Sequence, residues 1–227
     1  MTRGDDVSRE TSAPPPPDIA RTVCGDRLDA VVAYAGMLAG PGVDRGLIGP
    51  RELPRLWERH LLNCAVVAGA PLPGALVVDV GSGAGLPGLV WALLRPDLEI
   101  VLLEPLLRRT DFLAEAVELL ALDSVSIDRS RAEDAQGRYA ADVVTARAVA
   151  PLDRLLGWTL PLLRPGGRLL AFKGRTVGAE VAAASTALST AGASPARVTT
   201  YGDDVLDPPA TVVEVTARSD VSRLPRG

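Results

Sequence analysis

Histidine is almost missing from this chain: His60 is the single one in 227 residues. That excludes any multi-histidine metal site, and no metal is expected. Cysteine is nearly as scarce. Cys24 and Cys64 are too few for a disulfide framework, which points to a reducing cytoplasm. Long apolar runs are missing too, since none approaches the ~18 residues of a spanning helix. The opening "MTRGDDVSRETSAPPPPD" has no apolar stretch of the kind a secretory signal needs. Neither membrane insertion nor secretion is expected. There is also no excess of positive charge: 24 basic residues face 28 acidic ones, for a net charge of −4. Any contact with nucleic acid must then rest on a local basic patch.

What is present is a globular composition, 47% hydrophobic and 23% charged, at a length that suits one domain with extra elements. Residues 1–20 are polar and proline-rich, with Pro14 to Pro17 consecutive, and read as a disordered arm. From Asp26, a helical stripe puts Leu28, Val31, Val32, Ala35 and Leu38 on one face, and Gly40-Pro41 ends it. A second stripe puts Leu53, Leu56, Trp57, Leu61 and Cys64 on one side. Together these predict an N-terminal helical extension over residues 21–70.

The period then changes. "ALVVDV" at 75–80 is a short β-branched run, as expected of a parallel strand buried on both faces. Helices expected over 86–94, 109–122, 152–163 and 179–191 alternate with strand-like runs. Those runs read "EIVLLE", "VSIDRS", "ADVVTAR", "RLLAFKG", "ARVTTYG" and "ATVVEVTAR", with a turn expected at "RPGG". The alternation predicts an α/β domain with a mostly parallel sheet over residues 71–218, then a flexible tail at 219–227.

Between the first strand and its helix lies "VVDVGSGAGLPG". A glycine-rich turn that leaves a strand and opens a helix lets a ligand approach the backbone closely. The dinucleotide pattern G-x-G-x-x-G would need glycine three places after Gly83, where Leu86 stands. Asp79, just before the turn, is a poor neighbour for a diphosphate and a good one for a cation. Glu104 ends the next strand, where a carboxylate can accept both hydroxyls of a ribose.

The pattern D-x-G-x-G-x-G resembles motif I of class I S-adenosylmethionine-dependent methyltransferases. "LWERHLLNC", "VVDVGSGAGLPG", "IVLLEPLLRRTDFL", "SRAED", "TARAVAPLDRLLGW", "LLRPGGRLLAFKG" and "PPATVV" follow in order. Through them, residues 26–217 resemble the RsmG family, also called glucose-inhibited division protein B. The resemblance implies a Rossmann-like, seven-stranded, mostly parallel sheet with an antiparallel last strand. It implies S-adenosylmethionine as cofactor and methyl transfer to N7 of a guanine in the 530 loop (position 527) of 16S ribosomal RNA. The substrate would be that RNA or the small ribosomal subunit, and the enzyme a cytoplasmic monomer. Asp79, Gly81, Gly83, Gly85 and Leu86 would surround the cofactor, Glu104 its ribose, and Ala132 and Glu133 its adenine. Arg147 would face the same crevice, joined at the acceptor by His60, Asn63 and Lys173, with no general base expected.

The residues agree by exclusion. Methylation of an exocyclic amine in nucleic acid usually uses an (N/D/S)PP(Y/F) element after the fourth strand, where this chain has Thr145-Ala146-Arg147-Ala148. Methylation at pyrimidine C5 needs a cysteine near the cofactor, and both cysteines precede the sheet. Guanine N7 carries an in-plane lone pair and no proton. Arg51, Arg55, Arg59, Arg108 and Arg109 could form the local basic surface, or simply solvated helix faces; Lys173 could meet phosphate, or water. A methyltransferase for a metabolite or protein, and a non-catalytic ribosome-assembly module, are the competing functions.

Overall fold

The computed structural model describes residues 12–218. Seven strands build its centre: β1 (Leu76–Val80), β2 (Glu99–Leu103), β3 (Val125–Asp128), β4 (Ala141–Arg147), β5 (Leu163–Lys173), β6 (Arg197–Tyr201) and β7 (Ala210–Thr216). They form one sheet in the order β3-β2-β1-β4-β5-β7-β6. The first five are mutually parallel, and β7 runs antiparallel to both β5 and β6.

Successive side chains on a strand point to opposite faces, and here both faces are covered. Val77, Ile100, Leu102, Val143 and Leu170 pack into one core; Val78, Val80, Val101, Leu103, Val144 and Leu169 pack into another. The first core is roofed by α1 (Asp18–Cys24), α2 (Leu28–Met37), α3 (Asn63–Ala65), α4 (Gly88–Leu94) and α5 (Leu107–Leu119). The second is covered by α6 (Leu152–Thr159), α7 (Val177–Ala183) and α8 (Ser185–Thr190). Burial on both faces explains why the strands read as continuous apolar runs.

Several expectations change in detail. Within the stripe of α2, Val32 is 38% exposed, so the buried face is carried by Leu28, Val31, Tyr34, Ala35 and Leu38. The second N-terminal stripe is not a regular α-helix. Pro50–Arg55 winds as a 3-10 helix and Leu56–Leu62 as a π-helix, and the five-residue step from Leu56 to Leu61 suits the wider turn. "RPGG" does not interrupt its strand. Gly166 N–H donates to Ala217 O, and Ala217 N–H donates to Gly167 O, so the glycines are absorbed as an irregular start of β5. The helix expected over 179–191 breaks into α7 and α8 around Ala184.

The arm expected over residues 1–20 is in part folded. Trp57 Nε1 donates to Pro14 O at 2.8 Å, and α1 begins at Asp18. Residues 1–11 of that arm, and the tail expected at 219–227, lie outside the described residues. Among the described residues no helix is long and apolar enough to cross a membrane.

Candidate active site

The strand order reverses direction at β1, which pairs with β2 on one side and β4 on the other. Open α/β sheets leave a crevice at such a point, outside the carboxyl ends of the strands. A crevice of about 490 Å³ lies there, lined by Gly81, Glu104, Ala132, Glu133, Val149 and Trp158 among others.

The glycines of the turn divide into two kinds. Gly81, Gly83 and Gly85 have φ of 67°, 59° and 93°, a region that side-chain-bearing residues rarely adopt. A Cβ on Gly85 would fall 2.3 Å from Leu89 Cδ1, and one on Gly88 would fall 2.8 Å from Asp79 Oδ2. Those two are demanded by the protein's own packing. A Cβ on Gly83 would meet nothing closer than Gly81 O at 3.8 Å. Its absence leaves room for something other than the protein.

Asp79 does not line the crevice. It is fully buried, its Oδ2 accepts the Gly88 N–H at 3.0 Å, and its Oδ1 has no hydrogen-bond partner. Burial pushes its carboxyl up to about 7, against the pull of the Gly88 N–H. Its direct contact is with the start of α4. Leu86 is likewise buried in the core below the turn. Glu104 is 1% exposed, and protein donors orient it: Gly83 N–H at 3.0 Å, Leu106 N–H at 3.1 Å and Arg109 Nη1 at 3.3 Å.

A second cavity, of about 530 Å³, adjoins the crevice and shares Ala148 and Val149 with it. Arg59, Asn63, Arg147 and Lys173 line it. Arg147, at the end of β4, donates from Nη2 to Arg59 O at 2.9 Å and to His60 Nδ1 at 3.0 Å. A guanidinium can only donate, so Nδ1 accepts and the imidazole proton sits on Nε2. From there it donates to Glu52 Oε2 at 3.0 Å. Burial first, and then the Arg147 charge, hold the His60 pKa down to about 4. His60 is therefore a neutral prop behind Arg147, with both nitrogens engaged.

Lys173 is held by acceptors of the protein itself and is nearly buried. Its Nζ donates to Glu180 Oε2 at 2.7 Å and to Ala150 O at 2.8 Å, with the side chain 7% exposed. Glu180 also accepts the Leu152 N–H at 3.2 Å. Together they fasten the 148–151 loop between the two cavities. Of the expected basic surface, Arg59 pairs with Glu52 and Arg109 with Glu104, while Arg51, Arg55 and Arg108 are exposed.

Sequence reasoning passed over four residues. Tyr34 is fully buried, and its hydroxyl donates to Ala84 O at 2.5 Å, pinning the glycine turn to the helical roof. A hydroxyl inside the apolar stripe of α2 was a usable signal. Val149 lies over Gly81, 2.9 Å from where a Cβ would stand. Glu52 and Glu180 carried no signal, because each finds its partner only through the fold.

Comparison with known proteins adds the family. Residues 27–206 match the family model described as GidB, rRNA small subunit methyltransferase G. The chain is 60% identical over 210 residues to the ribosomal RNA small subunit methyltransferase G of Streptomyces avermitilis, covering 92% of this chain and 88% of that one. It is 57% identical over 201 residues to the protein of the same name from Thermobifida fusca, covering 88% and 85%. Among solved structures, a SAM-dependent O-methyltransferase of Thermotoga maritima superimposes with a TM-score of 0.56 at 14% identity, covering 78% of this chain and 71% of that one. A SAM dependent methyltransferase of Aquifex aeolicus does so with a TM-score of 0.53 at 18% identity, covering 75% and 99%. At such identities these two speak for the fold alone.

Proposed function

Because the chain belongs to the rRNA small subunit methyltransferase G family, we propose that it methylates a guanine of 16S ribosomal RNA, at N7 in the 530 loop, using S-adenosylmethionine. The observation that carries this reading is the junction of two cavities at Ala148 and Val149, one beside the glycine turn and one beside Arg147. A donor in the first and a base in the second would meet there.

The residues present fit S-adenosylmethionine. The crevice is of the size that small ligands fill. Gly83 leaves open space where a side chain would stand. Glu104 is aimed by three donors, Gly83 N–H and Arg109 Nη1 on Oε2 and Leu106 N–H on Oε1, so Oε1 keeps a lone pair for a ribose hydroxyl. Ala132 and Glu133 would border the adenine. When bound, the cofactor supplies an electrophilic methyl group on a cationic sulfur. The buried Asp79 carboxyl below the turn suits a cationic neighbour, whose charge would favour its ionised form.

The chain's own work is placement. Guanine N7 starts without a proton, so no side chain has to remove one. Arg147 is rigidly held by Arg59 O and by the Glu52–His60 pair, and Asn63 lies on the same wall. Holding reactants in a near-attack arrangement can contribute about 7–11 kcal/mol. The 148–151 loop, fastened by Lys173 and Glu180, screens the junction from water. In this reading the enzyme works as a cytoplasmic monomer on the RNA or on the small subunit.

A methyl-transfer assay with tritiated cofactor tests the reading. Label should enter 16S rRNA or small subunits, and the modified base should vanish from rRNA of a strain lacking the gene. Label entering bulk protein or small-molecule extract instead would overturn it.

A further inference from the structure

A third cavity, of about 440 Å³, opens from the acceptor cavity, and the two share Arg59, Asn63, Lys173 and Gly174. It shares no lining residue with the cofactor crevice. One of its walls comes from an unexpected place. The proline-rich segment is drawn down by the bond from Trp57 Nε1 to Pro14 O, and this brings Pro17 and Ile19 to the cavity. Both residues precede the stretch matched by the family model, which starts at residue 27. The opposite wall is the 205–209 segment, with Val205 and Pro208.

The chemistry of the lining is mixed in a specific way. Apolar surface comes from Pro17, Ile19 and Val205, an amide from Asn63, and carboxylates from Glu58 and Asp207. Arg55 and Arg175 stand at this cavity, both exposed, and among the described residues neither forms an ion pair. Apolar surface beside guanidiniums that carry no ion pair suits a nucleobase joined to its phosphate. Four basic side chains, Arg55, Arg59, Lys173 and Arg175, stand against two acidic ones, Glu58 and Asp207, a net of +2 in a chain that carries −4.

We propose that this third cavity is a second nucleotide subsite, which holds the base next to the methylated guanine in the same RNA strand, with Arg55 and Arg175 on the connecting phosphates. Continuity through Asn63 and Arg59 is what ties it to the acceptor. The folded part of the proline-rich segment then closes the subsite and so reads the sequence context of the target. This rests on the rRNA methyltransferase reading given above.

The test is methyl transfer at varied RNA concentration, in the substrate form that the wild-type protein methylates. The RNA is intact, or lacks the base on the 5′ or the 3′ side of the target while keeping its backbone. For the wild type, loss of one of these two neighbours should raise the half-saturating RNA concentration about tenfold, the effect of burying a modest apolar area. Arg175→Glu should raise it by about as much on intact RNA and lower the salt slope by about one. Ile19→Asp should abolish the penalty for the missing base, since the two changes remove one contact and do not add. Melting curves and cofactor affinity close to wild type certify that each variant is folded. If Ile19→Asp does not fold, Arg175→Glu still decides through its salt slope. Indifference of the wild type to both neighbouring bases, or an unchanged slope in Arg175→Glu, would overturn the subsite. Absence of transfer by the wild type to intact RNA would instead overturn the function on which it rests.

Discussion

The cofactor crevice and the acceptor cavity lie side by side at one end of the sheet, but they are built differently. At the turn that floors the crevice, two backbone N–H groups bond acids close in sequence, while the Tyr34 hydroxyl reaches Ala84 O from 50 residues away. Gly83 N–H reaches Glu104 across 21 residues, and Gly88 N–H reaches Asp79 across nine. In the acceptor cavity, side chains meet over long separations: Arg147 joins Arg59 and His60 across 88 and 87 residues. The crevice is therefore mainly a matter of backbone shape. The acceptor cavity is a matter of docking the helical roof onto the sheet, so changes in the two places should fail in different ways.

The largest expected effect is at Gly83. Gly83→Val puts a branched side chain into open space at φ of 59°. S-adenosylmethionine affinity should drop more than about 1,000-fold, or ~4 kcal/mol, while the fold survives with about 1–3 kcal/mol of backbone strain. Calorimetry that finds ordinary affinity would rule out the crevice as the cofactor site. Next comes Arg147→Ala, which should lower the single-turnover rate about 100-fold and leave cofactor affinity nearly intact. A matching loss of cofactor affinity would merge the two regions into one.

Gly88→Ala is smaller and of another kind. Its Cβ would press on Leu102 and Asp79, costing about 1–3 kcal/mol of stability. Thermal melting should show that loss, with cofactor binding kept in the folded protein.

The smallest effects are in pH dependence, and they have opposite signs in the two regions. Asp79 has a folded value raised from 3.8 to about 7 by burial, so the native state binds the extra proton. Its contribution to stability is present below pH 3.8 and is lost as pH rises through about 7. Asp79→Asn should melt higher than wild type above about pH 7, in the absence of cofactor. His60 has a folded value lowered from 6.5 to about 4. Its contribution is present above pH 6.5 and is lost as pH falls through about 4, when a charged ring would face Arg147 and Arg59 with only Glu52 to offset them. His60→Gln should flatten the rise of stability between those two pH values. Melting curves that move the same way in both variants would break the contrast.

The same difference explains what could be read from the sequence. The seven strands follow from local period, and the placing of the glycine turn and Glu104 at one crevice from their spacing, while the antiparallel last strand came from family resemblance. The burial of Asp79 and Leu86 below the turn was not legible, because spacing marks a motif without saying where each side chain points. The pairing of Lys173 with Glu180 was not legible, because Glu180 lies on a helix whose packing no local pattern announces. The π-helical winding of Leu56–Leu62 was hidden as well, since its apolar spacing also fits an α-helix over so short a stretch.

The central claim is that the acceptor cavity presents guanine N7 without proton transfer. The direct measurement replaces the target guanine in the RNA by 7-deazaguanine, which keeps the pairing edge but has carbon in place of N7. This RNA should bind with ordinary affinity and receive no methyl group. Methyl transfer at the normal position and rate would contradict the claim.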